Sequence, residues 1–362
     1  MTPRKTTVDY SDVESQLRAL ERGDGEGELD LGRGKRLHVS SLSKPFFPDV
    51  DVTKGGLMRY YTSVAPWLLP EIEGRALVLK RYPNGVAGPM FFQQNAGEHV
   101  PEEVRVATLD TVELGAKPRI IGGDLLTLLY TVQLGAIEVH PWLSRVNDVD
   151  APDRCLIDLD PGDDVPFATV VALAKEVARI AESCGLSAGL KTSGASGIHI
   201  VLPLPPRTTY EASAMLALRL AEAVVAANPD VATVERSVKA RPKRSIYVDA
   251  LQNARGKSMA APYSARARPT ASVSAPLRPG ELTGRLRIEA FTVRTMPARL
   301  ARTGDLWGDA IATRPTARAI ARAMAALEDE SSAPSSRHGK AARTRAGESH
   351  AGSAGGHRAR TG

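Results

Sequence analysis

Apolar residues recur along this chain in two rhythms. Side chains return to one face every second residue in a strand and about every 3.6 residues in a helix. "GGLMRYYTSVAPWLLPEI" sets Leu57, Tyr60, Tyr61, Val64 and Leu68 on one side and predicts a helix. "DLLTLLYTVQLGA" and "TTYEASAMLALRLAEAVVAANP" predict two more. A fourth, "PFATVVALAKEVARIAESCGL", has Val170, Val171, Ala174, Val177, Ile180 and Ala181 as its core face. Between them, "LHVSSL", "RALVLKRYP", "AIEVHPW", "CLIDLDPGDD" and "RSIYVDAL" read as strands, and "LSAGLKTSGASGIHIVLPL" as strand, glycine turn, strand. The expectation is a mixed α/β core with its polar signals at strand ends.

The ends of the chain differ from this body. Residues 1–34 are polar and glycine-rich with one short helix at "SDVESQLRAL", and read as a loosely attached, partly disordered leader. Residues 35–315 form the body. Pro, Gly and Arg crowd 262–316, which promises only short elements there, and a short helix is expected at 316–330. From 331 to 362 the composition is Ser, Gly, Ala and Arg, which buries too little apolar surface to offset the entropy of ordering, so a disordered basic tail is expected.

Composition narrows the function. A chain of 362 residues with 43% hydrophobic residues can bury a full core. The net charge of +6 leans toward an anionic partner such as nucleic acid, although part of it sits in the tail. Cys155 and Cys184 fit no zinc or CxxC spacing and read as buried thiols in a reducing cytoplasm. No signal-peptide core and no run of about 18 apolar residues is present, so no membrane partner is expected.

The chemistry concentrates at "CLIDLDPGDD". On a strand, Asp158 and Asp160 share a face, about 7 Å apart, while Ile157 and Leu159 take the other. Two carboxylates so placed repel unless a cation joins them, and a hard divalent ion wants such oxygens. The plainer alternative is that one caps the following helix while the other meets a turn amide. Asp249 ends a second β-rich run in "IYVDALQN", and a third carboxylate beside the first two would let two ions be bridged. Between them lies "KTSGASGIHI", whose turn offers amides and the Ser193 hydroxyl to phosphate, with His199 on the following strand. Neither GxSxG nor a Walker loop is present. Past the Pro-Gly turn, Asp163 and Asp164 are the capping candidates.

The order "DLDPG", "TSGASGIH" and "YVDALQNARGKSMAAPYSARARP" resembles the polymerase domain of bacterial ligase D, a member of the archaeo-eukaryotic primase superfamily used in non-homologous end joining. The resemblance extends upstream through "SKPFFP", "LVLKRYPNGVAGPMFFQ" and "AIEVHPW", covering roughly residues 37–300. It implies an α+β primase-like fold, a mostly antiparallel central sheet flanked by helices around an RRM-like catalytic core. It further implies that Asp158, Asp160 and Asp249 bind two ions, Mn²⁺ or Mg²⁺. Ser193 and His199 correspond to triphosphate contacts, His140 to a residue near the nucleotide sugar, and Gln252, Arg266 and Arg268 to contacts in the active-site cleft. Lys44 and Lys54 match lysines that hold the 5′-phosphate of a DNA end or gap, and Phe91 and Phe92 an aromatic pair against the template. The implied partners are DNA with a 5′-phosphate, nucleoside triphosphates, Ku and a separate ATP-dependent DNA ligase, at the nucleoid in the cytoplasm.

Adjacent residues alternate sides on a strand, so at least one of Phe91 and Phe92 is expected in the core. In "RARP", Arg266 and Arg268 are expected to share a strand face. Two positions depart from the family pattern: Ser196 stands where relatives often carry lysine, and Gln94 where some carry a basic residue. Both changes weaken phosphate grip and leave the acidic trio intact. No KxDG ligase motif and no nuclease segment is found, so a stand-alone polymerase module is expected. The rivals are a DxD nucleotide-sugar glycosyltransferase, which gives Lys44, Lys54 and "RPKR" no role, and a non-catalytic DNA-end binding protein, which leaves three acids in a DNA cleft unneutralised.

Overall fold

A computed structural model of the chain describes residues 8–111 and 115–332. At its centre is a six-stranded sheet in the spatial order Ala232–Thr233, Ile246–Asp249, Arg154–Pro161, Ile198–Pro203, Gly189–Thr192, Pro276–Leu277. Every neighbouring pair is antiparallel except the first, which is parallel. Helices Phe167–Ser183 and Tyr210–Ala227 pack against this sheet. All six residues of the expected core face, from Val170 to Ala181, are buried, as are Leu216, Ala217, Leu220 and Val224 on the second helix. The Cys155 thiol donates to the Ser213 carbonyl on that second helix, so the odd positions of Arg154–Pro161 face the helices and the even ones face away. Alternation in one strand therefore separates core from chemistry.

A second sheet of three antiparallel strands runs Phe91–Gln93, Leu77–Arg81, Ala136–Pro141. Helix Lys54–Ile72, with Leu57, Tyr60, Tyr61, Val64 and Leu68 all buried, packs on helix Leu125–Gln133 beside it. Its tyrosines keep their hydroxyls satisfied while buried: Tyr61 donates to the Ile137 carbonyl at 2.7 Å and Tyr60 to the Tyr263 carbonyl at 2.6 Å. The segment after the acidic strands stitches the sheets together, with Ala261 N donating to Val139 O and the Ser264 hydroxyl accepting from Val139 N.

Three expectations change. The leader is part of the body: Ser11–Arg22 is a helix that buries Val13 and Leu17, and Gly27–Asp30 pairs with Arg36–Val39. A few apolar residues at the right spacing anchor it despite its polar composition. Helix Phe167–Ser183 begins after Pro166 with no side-chain cap, so Asp163 and Asp164 do not cap it; proline already fixes the entry backbone. "RARP" is a turn rather than a strand, with Ala271 N bonded to Arg268 O. The C-terminal helix runs Ala317–Ser332 and buries Ile320, Ala323 and Leu327. The expected tail beyond it, and residues 1–7, lie outside the described residues. No helix among the described residues is long and apolar enough to cross a membrane.

Candidate active site

The antiparallel register places Asp158 directly opposite Asp249 on one neighbouring strand and opposite His199 on the other. Asp160, two residues on, takes the same face. The three carboxylates and the histidine therefore meet on the side of the sheet turned away from the helices. Asn253 continues the pairing where Ile246–Asp249 ends, its amide bonding both Leu156 N at 2.8 Å and Leu156 O at 2.7 Å. This side-chain splice lets the chain turn away after Asp249 without leaving the acidic strand's backbone unpaired.

The acids are unevenly satisfied. Asp249 accepts from Leu251 N at 2.8 Å, Gln252 Nε2 at 3.1 Å and the Tyr247 hydroxyl at 3.3 Å. Asp160 lies 3.6 Å from Arg241 Nη1, whose guanidinium stacks on Tyr247. Among the described residues, the one ionic contact of Asp158 within 4 Å is His199 Nε2, at 3.4 Å. Burial, then the charges of Asp160 and Asp249, push the Asp158 carboxyl up to about 7. This crowding is what a bound cation would relieve.

The glycine turn approaches the acids closely. A Cβ on Gly197 would stand 2.1 Å from the Leu159 carbonyl, and Gly194 holds φ +71° against the Val273–Ser274 backbone, so neither position admits a side chain. The Ser193 hydroxyl accepts from Ala195 N and Gly197 N at 3.1 and 3.0 Å, so two of the turn's amides are engaged within the turn. His199 Nδ1 lies 2.5 Å from Nζ of Lys191, which also donates to Ser274 Oγ at 2.8 Å. Lys191 is fully buried and forms no ion pair within 4 Å among the described residues; burial, against the weaker pull of Asp158, drives its pKa well below the usual lysine range. Burial, then Lys191, likewise hold His199 below the usual histidine range, which keeps the ring neutral.

Asp158, Asp160, Ser193 and His199, with His140, Gln252 and Arg266, border a cavity of about 260 Å³; Asp249 and Lys191 stand behind its lining. Ser196 borders it too, where a lysine would reach inward. Arg266 projects toward it, bonded to the Ser193 carbonyl and paired with Glu138 at 3.0 Å. Arg268 does not line the cavity and is exposed, because the turn after Arg266 directs it outward. Gln94 accepts from Arg119 at 3.2 Å.

Lys44 and Lys54 form a second cluster. They flank the Pro45–Phe47 and Val52–Thr53 hairpin, and Lys54 N bonds Lys44 O. Lys44 Nζ donates to Asn84 at 2.7 Å and Lys54 Nζ to the Ser40 carbonyl at 2.9 Å. Lys54 is buried, which, helped by Lys44, lowers its pKa to about 8. Phe91 and Phe92 correct the expectation of one core ring: they are 45% and 59% exposed. Their strand is the sheet edge, where both rings stay about half exposed, Phe91 against Arg81 and Phe92 against Lys80. Two groups the sequence reading passed over are Glu138 and Lys191. For Glu138 the signal was present, an ionisable residue in the apolar run "AIEVHPW"; Lys191 heads the polar stretch "KTSG" and gave none.

Among the described residues, no three His, Cys, Asp or Glu side chains converge to hold an ion as they stand. The donor chemistry nonetheless fits Mn²⁺ or Mg²⁺: three carboxylates share one sheet face, and burial with mutual repulsion leaves them a charge that a cation would offset.

The family model described as "LigD, primase-polymerase domain" matches residues 53–307. The bifunctional non-homologous end joining protein LigD of Bacillus subtilis is 33% identical over 270 residues, 74% of this chain and 43% of that protein. The multifunctional LigD of Pseudomonas aeruginosa is 30% identical over 79% of this chain and 34% of that protein. The chain thus spans less than half the length of these relatives. A solved structure, the polymerase domain from Mycobacterium tuberculosis ligase D in complex with DNA, aligns with TM-score 0.71 and 30% identity, over 77% of this chain and 99% of that one. With its mixed helices and sheets arranged as in that domain and its sequence matched across most of the body, the chain belongs to the LigD primase-polymerase domain family.

Proposed function

We propose that the protein is a metal-dependent nucleotidyltransferase that extends DNA ends or fills short gaps in double-strand break repair by non-homologous end joining. The observation that carries this reading is the register that sets Asp158 opposite Asp249, with Asp160 on the same face beside a polar cavity. Asp158, Asp160 and Asp249 would hold the ions. Bound there, divalent ions would lower the pKa of a 3′-hydroxyl and neutralise departing pyrophosphate. The hydroxyl attacks the α-phosphate of a nucleoside triphosphate, and the new P–O bond replaces the bond to pyrophosphate.

The chain's own residues supply positioning. Ser193 and His199 meet the triphosphate, and Arg266, already on the Ser193 carbonyl, brings a fixed guanidinium to the developing charge. His140 borders the sugar, and Gln252 holds Asp249 in place. Lys44 and Lys54 take the 5′-phosphate across the gap. Phe91 and Phe92, exposed on a sheet edge above Arg81 and Lys80, pack against the template, which accounts for two large apolar rings left in water. Within the pathway, Ku would present the end and an ATP-dependent ligase would seal it, placing the protein at the nucleoid.

The test is extension of a 5′-phosphorylated gapped duplex with Mn²⁺ and each nucleotide class. Wild type extends; the Asp158→Ala, Asp160→Ala double variant does not, while still binding the duplex. Equal extension by both would overturn the reading.

A further inference from the structure

We propose that Glu138 is the positioning residue that couples the exposed phenylalanine platform to the nucleotide cavity, so that an occupied template surface tightens the grip on the incoming nucleotide. The inference rests on the polymerase reading and adds a residue and a route to it. Three antiparallel strands set Phe92, Lys80 and Glu138 opposite one another in a single row across the smaller sheet. Opposed residues in such a ladder project to the same side and touch. Along this row, Lys80 Nζ lies 5.8 Å from the Phe92 ring centroid and 3.6 Å from Glu138 Oε1.

From Glu138 the contacts continue into the cavity. Oε2 receives His140 Nε2 at 2.9 Å, from two residues along the same strand and on the same face. The same oxygen lies 3.0 Å from Arg266 Nε, and Oε1 accepts from Ala267 N at 3.0 Å, which fixes the backbone beside that arginine. Glu138 is 2% exposed, so these contacts act in a region of low dielectric where moving one charge alters the others. One carboxylate thus serves Lys80 under the platform, and His140 and Arg266 at the cavity. A ring pressed by a template base displaces Lys80; the carboxylate it shares with Arg266 and His140 then reorients them. Glu138 bonds none of the three acids of the larger sheet among the described residues, although the charge of Arg266 reaches Asp158.

Nucleoside triphosphate binding to wild type, Glu138→Gln and Lys80→Met is measured with and without a gapped duplex carrying the complementary template base. In wild type the duplex is expected to tighten nucleotide binding at least tenfold. In both variants that ratio should fall toward one. A purely structural role would shift affinity equally with and without duplex and leave the ratio untouched. Lys80→Met removes only the partly exposed end of the row, so it answers the question even if Glu138→Gln fails to fold. A folded variant that kept the wild-type ratio would overturn the coupling. Wild type that bound nucleotide but showed no tightening by duplex would overturn it as well, leaving the polymerase reading intact. Wild type that bound no nucleotide would overturn the polymerase reading and this inference together.

Discussion

The two sheets treat buried carboxylates in opposite ways. On the six-stranded sheet, three acids crowd together, and Asp158 is pushed up to about 7 by burial and by its neighbours. On the three-stranded sheet, burial would push Glu138 up as well, but hydrogen bonding from His140 and the charges of Arg266 and His140 hold it well below the usual carboxylate range. In one region the acids outweigh the pull of Lys191 and Arg266; in the other a single carboxylate is matched by several positive partners. A site that must accept a cation from outside keeps unmet negative charge; a site that must hold its own groups in place completes its ion pairs within the protein.

The largest effect that separates them is on chemistry. Asp158→Ala is expected to lower extension about 1000-fold, a loss of about 4 kcal/mol of transition-state stabilisation. Its thermal stability without metal should not fall, because a repelling charge is removed. A large drop in melting temperature would show that Asp158 holds the fold. Glu138→Gln should do the reverse to stability, costing about 3 kcal/mol in denaturant unfolding, since Arg266 and Lys80 lose a buried partner. An unchanged midpoint would erase the contrast.

A smaller effect, about 1–3 kcal/mol, is expected from Phe92→Ala on the affinity for template-containing duplex. Folding should be nearly unaffected, because the ring is already more than half exposed. Unchanged duplex affinity would remove the platform from the picture. The contrast also has a pH signature. The Asp158 carboxyl titrates higher in the folded chain than in the unfolded one, so its contribution to stability is present below about pH 4 and is lost as pH rises through about 7. Added Mn²⁺ should therefore raise the melting temperature by a few degrees more at pH 8 than at pH 6, and Asp158→Asn should flatten the difference. A metal shift independent of pH would contradict the crowding.

The smallest effect concerns Lys54, whose pKa is lowered to about 8 by burial first and by Lys44 second. Its charge is complete well below pH 8 and lost above it. The advantage of a 5′-phosphorylated over an unphosphorylated gap should decline as pH rises through about 8, by less than the effect of replacing the lysine. A flat ratio from pH 7 to 9 would take Lys54 out of the phosphate site.

Much of the fold was legible in the residues because burial imposes a period. The helix that carries Leu57, Tyr60, Tyr61, Val64 and Leu68, and the strand that alternates Ile157 and Leu159 with Asp158 and Asp160, obey that rule throughout. The leader escaped because Val13, Leu17 and Leu29 are few, and their value depends on a surface built elsewhere in the chain. Phe91 and Phe92 escaped because alternation predicts one core face only where a sheet is covered, and an edge strand need not be.

Residue order alone carries the local periods, the pairing of Asp158 with Asp160 on one strand face, and the run of motifs shared with the LigD primase-polymerase family, because each depends on neighbours within a few residues or on an order along the chain. It took the folded arrangement to set Asp249 opposite Asp158, to turn Arg268 away while Arg266 turns in, and to run Lys80, Glu138 and His140 from an exposed platform to the cavity. Those are facts of strand register and of backbone brought together across long loops, and no local pattern of residues encodes them.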